Sequence, residues 1–460
     1  RRLLGTTALL AVALSPGLLQ AQNIRHSTGT GSNSANVDNI TVRGGIYTNS
    51  GDVSNIFTVT GGEATSTAGV IGSLDIRAGE MTLDGGSTTG TSQLQGGDLT
   101  VNADMSASNL GMSGGTLTVG VGGQLGALRT TAGTVTNVGT IASIESRGVA
   151  ITNTTDGTVA GAALIEGNTL TNDGALNDVF VGRSATLDNN GDVAGTVTSF
   201  GTVENAGTIA NATLSDGTLT NAVGADFTGT VQVQSGATLD NQGDGARVDV
   251  RGGGTLTNAG TLTGPVTTRG TVTNSGSLTD IQVILGTATN ASGGDITGTA
   301  TVNDGTLSNT AAVSGAVVVG RTGTFDNAVG ATVATLTTEG TASSAGSVTT
   351  ATVDDGTFTN TGAITTANVT GGTLDNSGDI TTTTVTTGTL NNVGTLLGSG
   401  AVTVSGGVLN NTTDAGTSAA GTIAADVSLS GGRLSNDSGA TLSGDTVVDG
   451  GTLVNDGTIT

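Results

Sequence analysis

The feature that most constrains this chain is a pentapeptide that returns at a nearly fixed step. Residues 254–258 read GTLTN, and versions of it follow at 270–274 (GTVTN), 286–290 (GTATN), 356–360 (GTFTN), 372–376 (GTLDN) and 388–392 (GTLNN). A unit that recurs at so short a period cannot bury its own apolar residue, so it has to stack on its neighbours. The spacing predicts an all-β solenoid in which each pentapeptide supplies one strand and its corner.

The period runs through most of the chain. Early on, a Gly stands three residues before a Thr, from Gly45/Thr48 to Gly133/Thr136, at steps of 17 and 18 residues. From there an Asn closes each strand: Asn137, Asn153, Asn172, Asn189, Asn205, Asn221, Asn241, Asn258, Asn274, Asn290, Asn309 and Asn327. After a gap at Ser344 the column resumes as Asn360, Asn376, Asn392, Asn411, Asn436 and Asn455. The steps are 16 to 20 residues, apart from one of 25 between Asn411 and Asn436. Together the two series predict 24 coils over residues 45–460. With strands about 4.8 Å apart, they would make a rod on the order of 115 Å.

Alternation along a strand assigns the faces. In GTLTN the Leu and the Asn share one side and the two Thr share the other. The Leu position reads Leu256, Val272, Ala288, Leu307, Phe325 and onward with almost nothing polar, so it is the core column. Residues 254–269 add Leu262 and Val266, which suggests three short strands in a roughly triangular coil of 16–20 residues. An inward Asn at a corner can satisfy backbone groups at the bend and bond to the amides above and below, so a structural ladder is expected along this column. The alternative, a ligand or metal role, lacks the carboxylates that a hard cation wants.

Outward, Thr255/Thr257, Thr271/Thr273 and Thr287/Thr289 form a Thr-x-Thr array in three successive coils. It resembles the ice-binding face of some antifreeze proteins. Thr also simply suits an exposed strand, and Asp188, Glu204, Asp240, Asp326 and Asp375 interrupt the array.

Residues 1–21 read as a secretory signal, with Arg1 and Arg2 ahead of an apolar run, a break at Ser15-Pro16-Gly17 and a cleavage site after Ala21. The run is shorter than the ~20 residues of a spanning helix. Residues 22–44 are polar and aperiodic and read as a cap over the first open sheet edge, or as a plain linker.

Composition removes whole classes. The 80 Gly lack a Gly-X-Y period, which excludes collagen, and the 35% hydrophobic residues are placed too regularly for disorder. A net charge of −23 with no Lys repels phosphate backbones, so nucleic acid is not an expected partner. There is no Cys, and the one His, His26, lies outside the repeats, which removes Ser-His-Asp and Cys-His catalysis from the solenoid. Asp354-Asp355 could do acid–base work on a glycan, but the plainer reading is a hydrophilic corner. The Gly-Gly-x-Gly-x-Asp repeat of calcium-binding β-rolls is absent. No catalytic, cofactor-binding or metal-ligating residue is predicted.

The phrases LTNAGTL, VTNSGSL, LDNSGDI and LVNDGTI resemble repeats of bacterial filamentous-haemagglutinin-like and autotransporter passenger proteins, over nearly all of 45–460. The resemblance implies a right-handed parallel β-helix, secreted or held at the outer membrane. It implies a structural stalk or adhesin in cell adhesion, biofilm formation and virulence, without catalysis. Implied partners are host or neighbouring-cell surfaces or glycans, with self-association as a further option. Some autotransporter adhesins carry O-linked sugars on outward Ser and Thr, and these residues offer the same acceptors. Two departures stand out. The hallmark of a two-partner secretion domain is not seen, and neither is an outer-membrane translocation barrel. The chain opens on Arg1 rather than Met and Thr460 falls inside a repeat, so it reads as a fragment whose export route is open.

Two other functions remain in view. One is a polysaccharide-acting β-helix enzyme of the pectin-lyase type. Against it, Arg is sparse, with Arg247, Arg251 and Arg269 the densest run, and no insertion is expected to wall a cleft. The other is a Thr-face binder of ice or crystalline glycan.

Overall fold

The computed structural model describes residues 22–414 and 419–460, so the signal expected over residues 1–21 lies outside the described residues. Among the described residues there is no helix; the regular structure is β-strand throughout. Named strands pair in parallel with their counterparts one turn away, giving a β-solenoid of about 25 turns. An antiparallel bridge between Thr413 and Ala420 sits in the one long corner loop.

A typical turn has three strands. Thr255–Asn258, Thr261–Leu262 and Val266–Thr268 pair with Thr271–Asn274, Ser277–Leu278 and Ile281–Val283 of the next turn. Stacked along the axis, these make an amide sheet carrying the pentapeptide, a short sheet of mostly two-residue strands, and a third sheet. Register lays like on like: Leu256 faces Val272, Thr257 faces Thr273 and Asn258 faces Asn274. This register keeps the core columns inside; a one-residue slip would send the whole set into water. Leu256, Leu262 and Val266 are fully buried and form the three walls of the core.

The columns tolerate size differences by compensation between turns. Ala342 is stacked between Phe325 and Phe358, and all three are at most 1% exposed. Gly245 pairs with Phe227, and a Cβ built on Gly245 would run into the Phe227 ring. A small residue thus yields its space to a large neighbour, which keeps the interior close-packed.

The recurrent Gly ahead of the early strands has a steric cause. Gly62 has φ +75°, and a Cβ there would lie 2.5 Å from the Gly45 carbonyl oxygen one turn below. Any side chain would meet both the left-handed penalty and the stacked backbone.

Residues 22–44, expected as a cap or a linker, are laid into the ladder as its first turn. Asn23–His26 pairs with residues 39–42, and Thr30–Asn33 with Ile46–Asn49. That turn adds one to the 24 coils counted from residue 45. Its interior is made differently from the rest. Gly31 takes the core position under Tyr47, and the His26 ring fills the space beside it, 5.3 Å from the Tyr47 ring. Tyr47 in turn meets Phe57 edge-on at 6.2 Å, so an aromatic stack plugs this end. The Tyr47 hydroxyl is buried without a partner, and burial pushes its pKa up.

Candidate functional site

The inner asparagines form a chain of side-chain hydrogen bonds along the axis. Asn137 Nδ2 donates to Asn153 Oδ1 at 2.7 Å, and Asn153, Asn172, Asn189 and Asn205 pass the same bond onward at 2.7 Å each. Asn221, Asn241, Asn258, Asn274, Asn290 and Asn309 continue it at 2.7–2.8 Å, ending on Asn327. A second run links Asn360, Asn376, Asn392, Asn411, Asn436 and Asn455 at 2.7–2.9 Å. Every Nδ2 points toward the C-terminal neighbour, so the amide dipoles add and the bonds reinforce one another. The second N–H closes the corner: Asn258 Nδ2 also donates to Gly260 O and Asn376 Nδ2 to Gly378 O. Asn258 is fully buried, and its amide is engaged inside the protein by the turns on both sides and by its own corner.

The outer side of the amide sheet carries threonine columns. The position that includes Thr255, Thr271 and Thr287 is Thr in 14 successive turns, from Thr169 to Thr389. Thr257, Thr273 and Thr289 stand in the second column two residues on. All six are exposed or half-exposed. In that second column Asp188 lies directly over Glu204, an unfavourable like-charge stack, and Asp240, Asp326 and Asp375 stand singly further along.

A different surface appears on the outer side of the third sheet. Leu164 pairs with Phe180, both at outward positions, and Phe200 follows one turn on, its ring centroid 5.6 Å from that of Phe180. Arg183 places its Cζ 5.8 Å from the Phe200 ring and donates from Nη1 to Asp216 Oδ2 at 2.5 Å. Beside them Arg129, Glu145, Arg147 and Glu166 form a chain of ion pairs of 2.6, 3.1 and 3.1 Å across three turns. Sequence reasoning missed this cluster. The signal was present: Phe180 lies between Val179 and Val181, both inward, so alternation alone sends its ring out.

Thr412, Thr413 and Asp414, just after Asn411, line an open groove of about 400 Å³ together with Thr359, Asp375 and Asn391. These three residues lie at a corner, where extra residues leave the stack undisturbed. Asp354 and Asp355 lie elsewhere, on an exposed corner. Asp354 Oδ1 accepts a 2.6 Å bond from Thr370 Oγ1, and Asp355 Oδ2 is 3.5 Å from Arg321 Nη2. Among the described residues no group of three or more His, Cys, Asp and Glu side chains is arranged to hold a metal. No protein-family model matches this chain, and no curated protein sequence matches it.

Proposed function

We propose that this chain is a surface-displayed or secreted β-solenoid stalk that acts as an adhesin, in the manner of the bacterial passenger proteins its repeats resemble. The observation that carries the reading is the uninterrupted stack of about 25 turns. At about 4.8 Å per turn it spans on the order of 120 Å. A rod of stacked parallel strands, stiffened by an internal amide chain, suits holding a binding surface away from a cell. Its sides are long, flat and acidic, with no Lys to attract anionic lipid or nucleic acid.

The test is to coat beads with the protein and score attachment to bacterial and animal cells, while assaying soluble polysaccharides for new chain ends. Attachment without cleavage is expected. Release of chain ends would replace this reading with the polysaccharide-acting one, for which the Asp375 groove is the place to look.

A second reading is favoured by one observation, the register-aligned threonines over 14 turns. Such a face suits a periodic solid such as ice or crystalline glycan. Thermal hysteresis that disappears in Thr271→Tyr would support it, and ordinary freezing of the wild-type solution would remove it.

A further inference from the structure

The aromatic residues of this chain fall into two groups. Tyr47, Phe57, Phe227, Phe325 and Phe358 are fully buried. The other two, Phe180 and Phe200, lie against each other on the outside of the third sheet, with Phe180 37% exposed. Leu164 extends the apolar surface by one turn. This is a contiguous patch, unlike Val121, Val223 and Val329, which stand singly on corner loops.

We infer that the patch is a binding site for neutral pyranose sugars. The C–H face of a sugar ring stacks on aromatic faces, while its hydroxyl edges need donors and acceptors close by. Phe180 and Phe200 supply the platform. Arg183, with its side chain 74% exposed, keeps N–H groups free beyond its bond to Asp216. Glu166 and Arg147 sit one and two turns below Phe180 and offer an acceptor and a donor for a second sugar unit. All of them project from sheet backbone or its tight corners, so little order has to be gained on binding.

Size and charge decide among occupants. A stable protein interface needs about 800 Å² on each side. Leu164, Phe180 and Phe200, partly covered, expose on the order of 100–200 Å² between them. That area matches one or two sugar rings and falls well short of a protein partner. Each nearby Arg faces a carboxylate, namely Glu145, Glu166 or Asp216, so the patch is close to neutral on a chain of net charge −23. Polyanionic glycans are repelled by that field; uncharged ones are not.

The inference deepens the adhesin reading and rests on it for the source of the sugar. Its test is saturation-transfer NMR on the full chain with cellohexaose, maltohexaose, laminarihexaose and mannohexaose. At least one should receive saturation at its ring C–H protons. Phe180→Ser should weaken that oligosaccharide by about tenfold or more, and Phe180→Trp should keep it. Val223→Ser, on a remote loop, should change nothing. Wild-type protein that binds none of the four, or Phe180→Ser protein that binds equally, overturns the site. Binding to a protein-coated surface that depends on Phe180 while sugars do not bind also overturns it. Bead attachment to cells is scored in parallel with the same variants. Attachment unaffected by Phe180→Ser leaves the adhesin reading standing without this site. No attachment by wild type removes the adhesin reading, while the NMR result still judges the site.

Discussion

Two stretches of the amide sheet solve the same corner in opposite ways. Over residues 83–119 the inner corner position is Leu83, Val101 and Val119, all buried and apolar. From Asn137 to Asn327 it is a continuous column of buried amides. The backbone register is the same in both, and Val119 pairs directly with Asn137 at the junction. The difference teaches that the fold does not need the amide; what it needs is agreement between neighbours. A buried amide is stable only when the turns on both sides supply its partners. The junction is the exception: Asn137 Oδ1 is buried with no partner, because Val119 below it offers no donor.

Four substitutions sharpen this contrast. Repeat arrays open turn by turn, so each is best read by local amide hydrogen exchange beside a urea melt. Asn258→Val, in mid-column, strands the Asn274 acceptor and an Asn241 N–H, and should cost about 2–5 kcal/mol. Val101→Asn places a lone amide between Leu83 and Val119 and should cost about 1–3 kcal/mol. Asn137→Val moves the unpaired acceptor from Asn137 to Asn153 and gives up one 3.2 Å bond to Thr158 O, so its cost should stay at ~1 kcal/mol. Val119→Thr keeps the shape and brings a hydroxyl to the orphaned oxygen, and should stabilise by about 1 kcal/mol. Hydroxyls already receive amides at two other places: Asn49 donates to Ser66 Oγ and Asn327 to Ser344 Oγ. If mid-column and junction variants lose equal stability, the idea of neighbour agreement fails.

Much of the fold is legible in the sequence because each turn repeats one local rule. Leu256 and Asn258 lie two apart, so they must share a face, and the step of 16 brings Val272 and Asn274 over them. The first turn is harder to read, since Gly31 replaces the core residue and His26, from another strand, fills its place. Its one clear mark is Asn33, 16 residues before Asn49 and bonded to it at 2.9 Å. The outer surfaces are less legible for a physical reason. Outward positions are not constrained by packing, so Phe180 carries no periodic signature and is recognised only as a departure from one. The Asp375 groove depends on where Thr412, Thr413 and Asp414 come to lie beside the amide sheet, which no repeat rule specifies.

The central claim is that successive turns stack in register, so that eight turns separate Thr220 from Thr359. The chain has no Cys, so spin labels can be placed at those two outward positions alone. Pulsed electron double resonance between Thr220→Cys and Thr359→Cys should give one narrow distance of about 38 Å, eight steps of ~4.8 Å. A broad distribution, or a single distance well away from that value, would contradict the stacked columns.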